Sequence, residues 1–276
     1  MLTGSRVTVI KGKRSIETVF KAIRPVCDPQ EFADLPILIK VNFISIKKWD
    51  TGATTDPIIV ESLIQYFQPY NERIFVVESD ATITNADEAA KATGIIDLCN
   101  EYGVSFLNLR KYPETVDVKV PNPETLSIIN FPKIVLESHI ISAAKMKTHG
   151  DTQVTLGLKN MFGLLIDKPK SRYHSLGISK VIVDINSVLR PDLTIIDGFV
   201  AMEGSGPVSG KPVKMDLVIV GKDVVATDAI TSRIMGFEPN EIYHIRRVAE
   251  IGLGQIDNIE LVGEDLDKVA HKFERP

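Results

Sequence analysis

The sequence predicts an α/β fold: a mainly parallel sheet with flanking helices, compatible with two lobes and a cleft between them. Three observations predict it. Short apolar runs at 37–42, 73–78, 140–144, 193–196 and 215–220 have the length of strands and few polar positions, as in strands buried on both faces. Between them lie stretches with apolar residues at helical spacing, the pattern of helices laid on a sheet. Turn residues mark the junctions, and no internal repeat, low-complexity tract or Gly/Ser-rich linker breaks the alternation, so 1–276 reads as a single α/β unit.

Taken in order, 7–10 reads as a strand. Residues 15–23 form a helix with Ile16, Val19, Phe20 and Ile23 on its apolar stripe, stopped by Pro25. The run 37–42 is a central strand, and its polar exceptions, Lys40 and Asn42, share a face near its end. Asp56 suits an N-cap and Pro57 the first turn of a helix buried through Ile59, Val60, Leu63, Ile64 and Phe67. Strand 73–78 ends at Ser79-Asp80, and open α/β sheets place ligands at strand ends, which makes Asp80 a candidate. Residues 81–112 carry helical signals at 87–92 and 95–102 and a strand signal at 104–107. The stretch 111–125, with Pro113, Pro121 and Pro123, reads as an exposed loop or hairpin, and 132–135 leads into strand 140–144.

Beyond residue 174, Ile178, Val181, Ile182, Ile185, Val188 and Leu189 predict an amphipathic helix closed by Arg190-Pro191. Strand 193–196 ends at Asp197-Gly198. The loop 202–210, with Gly204, Gly206 and Gly210, lacks the spacing of a phosphate-binding loop and reads as a flap or a close backbone approach to a ligand. A strand at 215–220, a helix at 226–235 with Asp228 in its first turn, a helix between Pro239 and Gly252 and a strand at 259–262 complete the chain.

At 276 residues the chain can bury a large core, and 44% hydrophobic with 25% charged residues is ordinary for a globular protein. A net charge of −4 leaves no electrostatic footprint for nucleic acid. Two distant cysteines, Cys27 and Cys99, exclude a disulfide scaffold and an iron–sulfur cluster held by this chain alone. No apolar run has membrane-spanning length, so the cytoplasm is the expected location and no membrane partner is expected.

Polar residues concentrate in the otherwise apolar segment 145–174, KMKTHGDTQVTLGLKNMFGLLIDKPKSRYH. Polar groups set in apolar sequence are costly to bury without partners, so this segment either binds something or pairs within itself. Asp151 is expected to cap a helix running through Lys159 to Gly163, with Val154, Leu158 and Met161 facing the core. Lys145, Lys147 and His149 then precede the helix start, where orphan N–H groups favour an anion. Lys145 and Lys147 are expected to point the same way and clamp a phosphate or carboxylate. Lys159, followed by Asn160, is either buried with a carboxylate or aimed at a ligand, and burial would lower its pKa. Lys168 and Lys170, flanking Pro169, read as a solvated loop.

These readings select His149, Lys159 and His174 as catalytic candidates. Lys40, Asn42, Asp80, Lys145, Lys147, Asn160 and Glu203 are candidates for binding a small anionic molecule or cofactor. Asp197 and Asp228 are candidate ligands of a divalent metal, gathered from distant segments because no compact metal motif exists.

The signature Lys145-x-Lys147-Thr148-His149, Val154-Thr155-Leu156 and Leu158-Lys159-Asn160-Met161-Phe162-Gly163 resembles the hallmark of the DUF362 family. Further matches include 39–42, 54–57, 78–80, Ile196-Asp197-Gly198, Ala201-Met202-Glu203 and Thr227-Asp228-Ala229. Some members of that family carry a cysteine-rich ferredoxin-like module, which this chain lacks. More distantly, His149, Lys159 and His174 fall at nearly the spacing found in the nickel-dependent lactate racemase family. That resemblance implies a related fold, Lys159 holding a cofactor, and His149 or His174 contacting metal or substrate. The expected function is an enzyme with a Lys/His/Asp site for a phosphate- or carboxylate-bearing small molecule, with metal assistance allowed. The alternatives are a non-catalytic metal- or cofactor-binding protein and an accessory subunit of a redox complex.

Overall fold

A computed structural model describes residues 4–167 and 169–276. Strand β1 (Ser5–Lys11) leads into helix α1 (Ile16–Ile23), where the Ser15 hydroxyl accepts the Thr18 N–H at 3.3 Å. Strand β2 (Ile37–Lys40) is buried throughout. Helix α2 (Pro57–Phe67) starts as its sequence dictates, with Pro57 in the first turn and Asp56 accepting the Ile58 N–H at 3.0 Å. Strand β3 (Ile74–Glu78), helices α3 (Ala86–Ala92) and α4 (Ile95–Tyr102) and strand β4 (Ser105–Asn108) follow. The proline-bearing stretch becomes a separate antiparallel pair, β5 (Thr115–Lys119) with β6 (Ile128–Pro132), followed by a single turn, α5 (Lys133–Leu136).

Strand β7 (His139–His149) is far longer than its neighbour β2, which pairs with it only from His139 to Ser142. Its distal edge is filled instead by β8 (Gln153–Thr155), joined by a tight turn with His149 opposite Gln153 and Lys147 opposite Thr155. The helix expected from Asp151 to Gly163 is therefore wrong over its first half. The vacant edge of β7 takes up a segment containing the β-branched Val154 and Thr155, both buried, and this pairing overrides local helical spacing. Helix α6 spans only Gly157–Asn160 and tightens into a 3-10 turn at Met161–Leu164.

Beyond it come α7 (Arg172–Ser175) and α8 (Ile178–Val188). Strands β9 (Leu193–Glu203) and β10 (Lys211–Gly221) form a long antiparallel pair, so the expected loop at 202–210 shrinks to the connection 204–210. Helices α9 (Val224–Ile234) and α10 (Tyr243–Glu250), strand β11 (Ile259–Gly263) and the turn α11 (Leu266–Val269) complete the order.

One sheet runs through the molecule in the order β11-β1-β10-β9-β7-β2-β3-β4, with β8 on the edge of β7. From β4 to β9 neighbours are parallel; β10 runs antiparallel to both β9 and β1. Alternate side chains feed opposite cores, as the two-residue period of a strand requires. Ile141, Ala143, Val218 and Val220 pack with α1, α2 and α4, whereas Ala144, Met146, Leu217 and Ile219 pack with α8, α9 and α10. A third cluster joins Leu38, Val77 and Ile140 to Phe131, Tyr173 and Val181. Among the described residues no helix is long and apolar enough to cross a membrane.

Candidate functional site

The chain leaves β2 for β3 and β4 on one side and leaves β7 for β9 on the other, so the strand order diverges between β2 and β7. Crevices outside the carboxyl ends of strands at such a divergence are the usual ligand sites of open α/β sheets. Lys40 and Asn42 stand at the end of β2, Glu78 and Ser79 at the end of β3, and Lys147 and His149 at the end of β7. These residues border a cavity of about 100 Å³. Helix α6 and its 3-10 turn add Lys159, Asn160, Phe162 and Gly163; Lys170, His174 and Pro207 add further wall.

One wall is a closed polar network. The fully buried Lys40 amine lies 2.8 and 2.9 Å from the two Glu78 oxygens and donates to the Val41 carbonyl at 2.6 Å. Glu78 also accepts the Phe43 and Ser79 N–H groups at 3.0 and 2.9 Å. Burial lowers the pKa of Lys40, and Glu78 opposes that shift. Asn160 straddles the divergence: its amide donates to the Lys40 carbonyl at 3.0 Å and Ser142 at 3.1 Å, and its oxygen accepts from Lys40 and Asn42. Gly163 lets the 3-10 turn press on this pair, since a Cβ there would strike both Lys40 and Glu78.

The same cavity is lined by three further amines, those of Lys147, Lys159 and Lys170. Lys147 is buried and donates to the Ala53 carbonyl at 2.6 Å; burial, then the charges of Lys159 and Lys145, hold its pKa well below the usual lysine value. Lys170 is also buried and donates to the Ser79 hydroxyl at 2.7 Å. The half-buried Lys159 makes no hydrogen bond or ion pair among the described residues, and its amine lies 5.7 Å from the Phe162 ring centre, with that of Lys170 at 5.6 Å. Burial lowers both amines to about 8, against the pull of Asp151 on Lys159 and of Glu78 on Lys170. Two acceptors in the cavity wall, Asn42 Oδ1 and Thr155 Oγ1, are buried without a partner among the described residues.

His149 is buried, and its Nδ1 accepts the Asp151 N–H at 3.2 Å, which places the ring proton on Nε2. Burial, then the nearby lysine charges, push its pKa down to about 2, so the ring is a neutral donor. His174 is largely exposed and its Nδ1 lies 2.6 Å from Asp151, the residue expected to cap a helix. His244 of α10 lies behind the site, fully buried with both ring nitrogens unpartnered among the described residues. Its pKa falls to about 3 through burial and then the charge of Lys159.

The structure thus brings together Lys40, Asn42, Lys147, His149, Lys159, Asn160 and His174, and separates the rest. Lys145 parts from Lys147: it pairs with Asp197 at 2.8 Å, both fully buried, and Asp197 also accepts the Asp56 N–H at 2.8 Å. Asp56 in turn holds Arg14 through two bonds of 2.6 and 2.7 Å. Asp228 reaches across from α9 to accept the Gly157 and Leu158 N–H groups at 2.8 and 2.9 Å, capping α6 where the sequence offers no local cap. Asp80 turns away to the Ala86 N–H and Asn108 at 2.9 Å each. Glu203 accepts the Glu274 N–H at 3.0 Å and lies near His271. With Asp197 and Asp228 engaged in this way, the expected metal set does not assemble, and no three His, Cys, Asp or Glu side chains among the described residues are arranged to hold a metal ion.

Sequence reasoning missed Glu78, Ser79, Phe162, Lys170 and His244. Glu78 carried a usable signal, because it ends an apolar strand next to the candidate Asp80. Lys170 is a correction: instead of a solvated loop it is a buried wall residue, drawn in by Ser79 and Phe162, while Lys168 lies outside the described residues.

A family model described as Domain of unknown function (DUF362) matches residues 37–233, a span that contains the strand ends and α6. A thylakoid-associated protein from Synechocystis sp. is 25% identical over 224 residues, covering 79% of this chain and 68% of the relative. A lactate racemase apoprotein from Thermoanaerobacterium thermosaccharolyticum aligns with a TM-score of 0.39 and 11% identity. That alignment covers 90% of this chain, which spans 57% of the racemase chain.

Proposed function

We propose, for a chain that belongs to the DUF362 family, an enzymatic function read from the site itself: it acts on a small molecule bearing a carboxylate or phosphate. Lys147, Lys159 and Lys170 surround the anion, and the His149 Nε2–H meets a substrate oxygen. The observation that carries this reading is that three amines line one small cavity with no carboxylate partner among the described residues, Glu78 being held by Lys40. Buried ammonium groups without a counter-charge are costly, and an anion relieves that cost for all three together. Its charge also raises the basicity of His149, which lets that ring exchange a proton with the substrate.

Thermal unfolding with inorganic phosphate or oxalate tests the reading. Either anion should raise the melting temperature of the wild type, and Lys159→Gln with Lys170→Gln should remove the rise. No rise with either anion, or an equal rise in the double variant, would overturn it.

A second reading, binding without turnover, is favoured by one feature: Glu78 is locked to Lys40, and among the described residues no second carboxylate lines the wall to act as a base. Saturable binding with no conversion across 2-hydroxy acids, 2-oxo acids and phosphoesters would select it. A reducing compartment such as the cytoplasm fits the two buried thiols, Cys27 and Cys99, which burial pushes up to about 12 and about 11. Subcellular fractionation checks that location.

A further inference from the structure

The three cavity amines are not equivalent. Lys147 is tied to a backbone carbonyl and Lys170 to a hydroxyl, whereas Lys159 is tethered to neither an acceptor nor a carboxylate among the described residues. It stands on a short helix and lines the same cavity as His149, with its amine beside the Phe162 ring. Two anchored amines and one untethered amine divide naturally into holders and a nucleophile. We propose that Lys159 is a covalent centre that forms an imine with a small 2-oxo acid whose carboxylate is held by Lys170 and Lys147. This rests on the anion-binding reading and names its substrate class.

The step balances without a co-reactant. The neutral Lys159 nitrogen donates its lone pair to C2 of the oxo acid, forming a C–N bond, and the C=O π pair moves to oxygen. That oxygen takes a proton and the nitrogen loses one, giving a carbinolamine. The hydroxyl then takes up the proton that the Lys159 ammonium released on becoming neutral and leaves as water while the nitrogen lone pair closes the C=N bond. Net, an ammonium and a ketone become a protonated imine and water. The His149 Nε2–H supplies a hydrogen bond to the oxygen as its charge grows. Burial assists, because an amine lowered to about 8 is partly neutral near pH 7.5.

The test incubates the full chain with pyruvate or glyoxylate at pH 7.5, reduces with borohydride, and maps the adduct by peptide mass spectrometry. Reduced adduct is expected on Lys159 at about ten-fold or more above exposed lysines, since a pKa lowered by more than two units enlarges the neutral fraction on the order of a hundred-fold. Excess oxalate, which fills the anion site without a reactive ketone, should protect Lys159. Lys159→Arg should lose the adduct while keeping the wild-type urea midpoint, which reports that it is folded. Adduct spread evenly over surface lysines, or none on Lys159 while oxalate still stabilises the wild type, overturns the imine and leaves the anion site standing. Loss of oxalate stabilisation in the wild type removes both.

Discussion

Asp228 shows how a single carboxylate supports the site without entering it. Burial lifts its pKa to about 7 from an ordinary 3.8, even though the Gly157 and Leu158 N–H groups favour the charged form. The folded state therefore holds a proton that the unfolded chain has released between about pH 4 and 7. Its contribution to stability is complete below about 4 and is lost as pH rises through about 7. Asp228→Asn should flatten the fall in unfolding free energy across that window in urea titrations; an unchanged slope would contradict this assignment. At this scale the sequence was readable where a polar residue interrupts apolar sequence, as at Lys40, Lys147, His149 and Lys159. It was silent where a partner comes from far along the chain. Nothing local distinguishes Asp228 as the cap of α6, Lys145 as the counterion of Asp197, or His244 as a neighbour of Lys159.

Elements meet in two tight places with measurable costs. Lys145 on β7, Asp197 on β9 and Asp56 at the start of α2 form one buried charged chain that ends at Arg14. Lys145→Met leaves Asp197 buried and unpaired, and should cost about 3–5 kcal/mol in chemical denaturation. Adding Asp197→Leu should recover most of that loss. Gly163→Ala drives a methyl group into the Lys40–Glu78 pair and should cost about 1–3 kcal/mol while also weakening oxalate binding. Its neighbour Gly157→Ala meets Thr194, Asp228 and Val224 and should act on stability through the cap. The strand–helix alternation was legible because apolar runs and caps such as Ser15 and Asp56 are local. Strand β8 was not, because its cause is the surplus length of β7 over β2, a property of the assembled sheet.

Across the whole molecule, the depressed lysines give two opposing pH trends. Lys159 and Lys170 titrate near 8 when folded and near 10.5 when unfolded, so between those values the unfolded chain binds more protons and stability rises with pH. Oxalate favours the protonated amines, so its stabilising effect should be largest below about pH 8 and fade above it. Melting curves with and without oxalate should therefore converge between pH 7 and 10; a constant gap would place the anion elsewhere. The parallel half of the sheet could be anticipated from alternation alone, whereas its strand order and the antiparallel β9–β10 arm could not, because the order is a property of the assembled sheet and Gly198 and the glycines at 204–210 hide the length of the arm. The cavity draws its lining from Lys40 through Pro207, on both sides of that divergence. No early stretch of a chain emerging from the ribosome carries the whole lining, so the cavity is complete only once the chain has been made through Pro207.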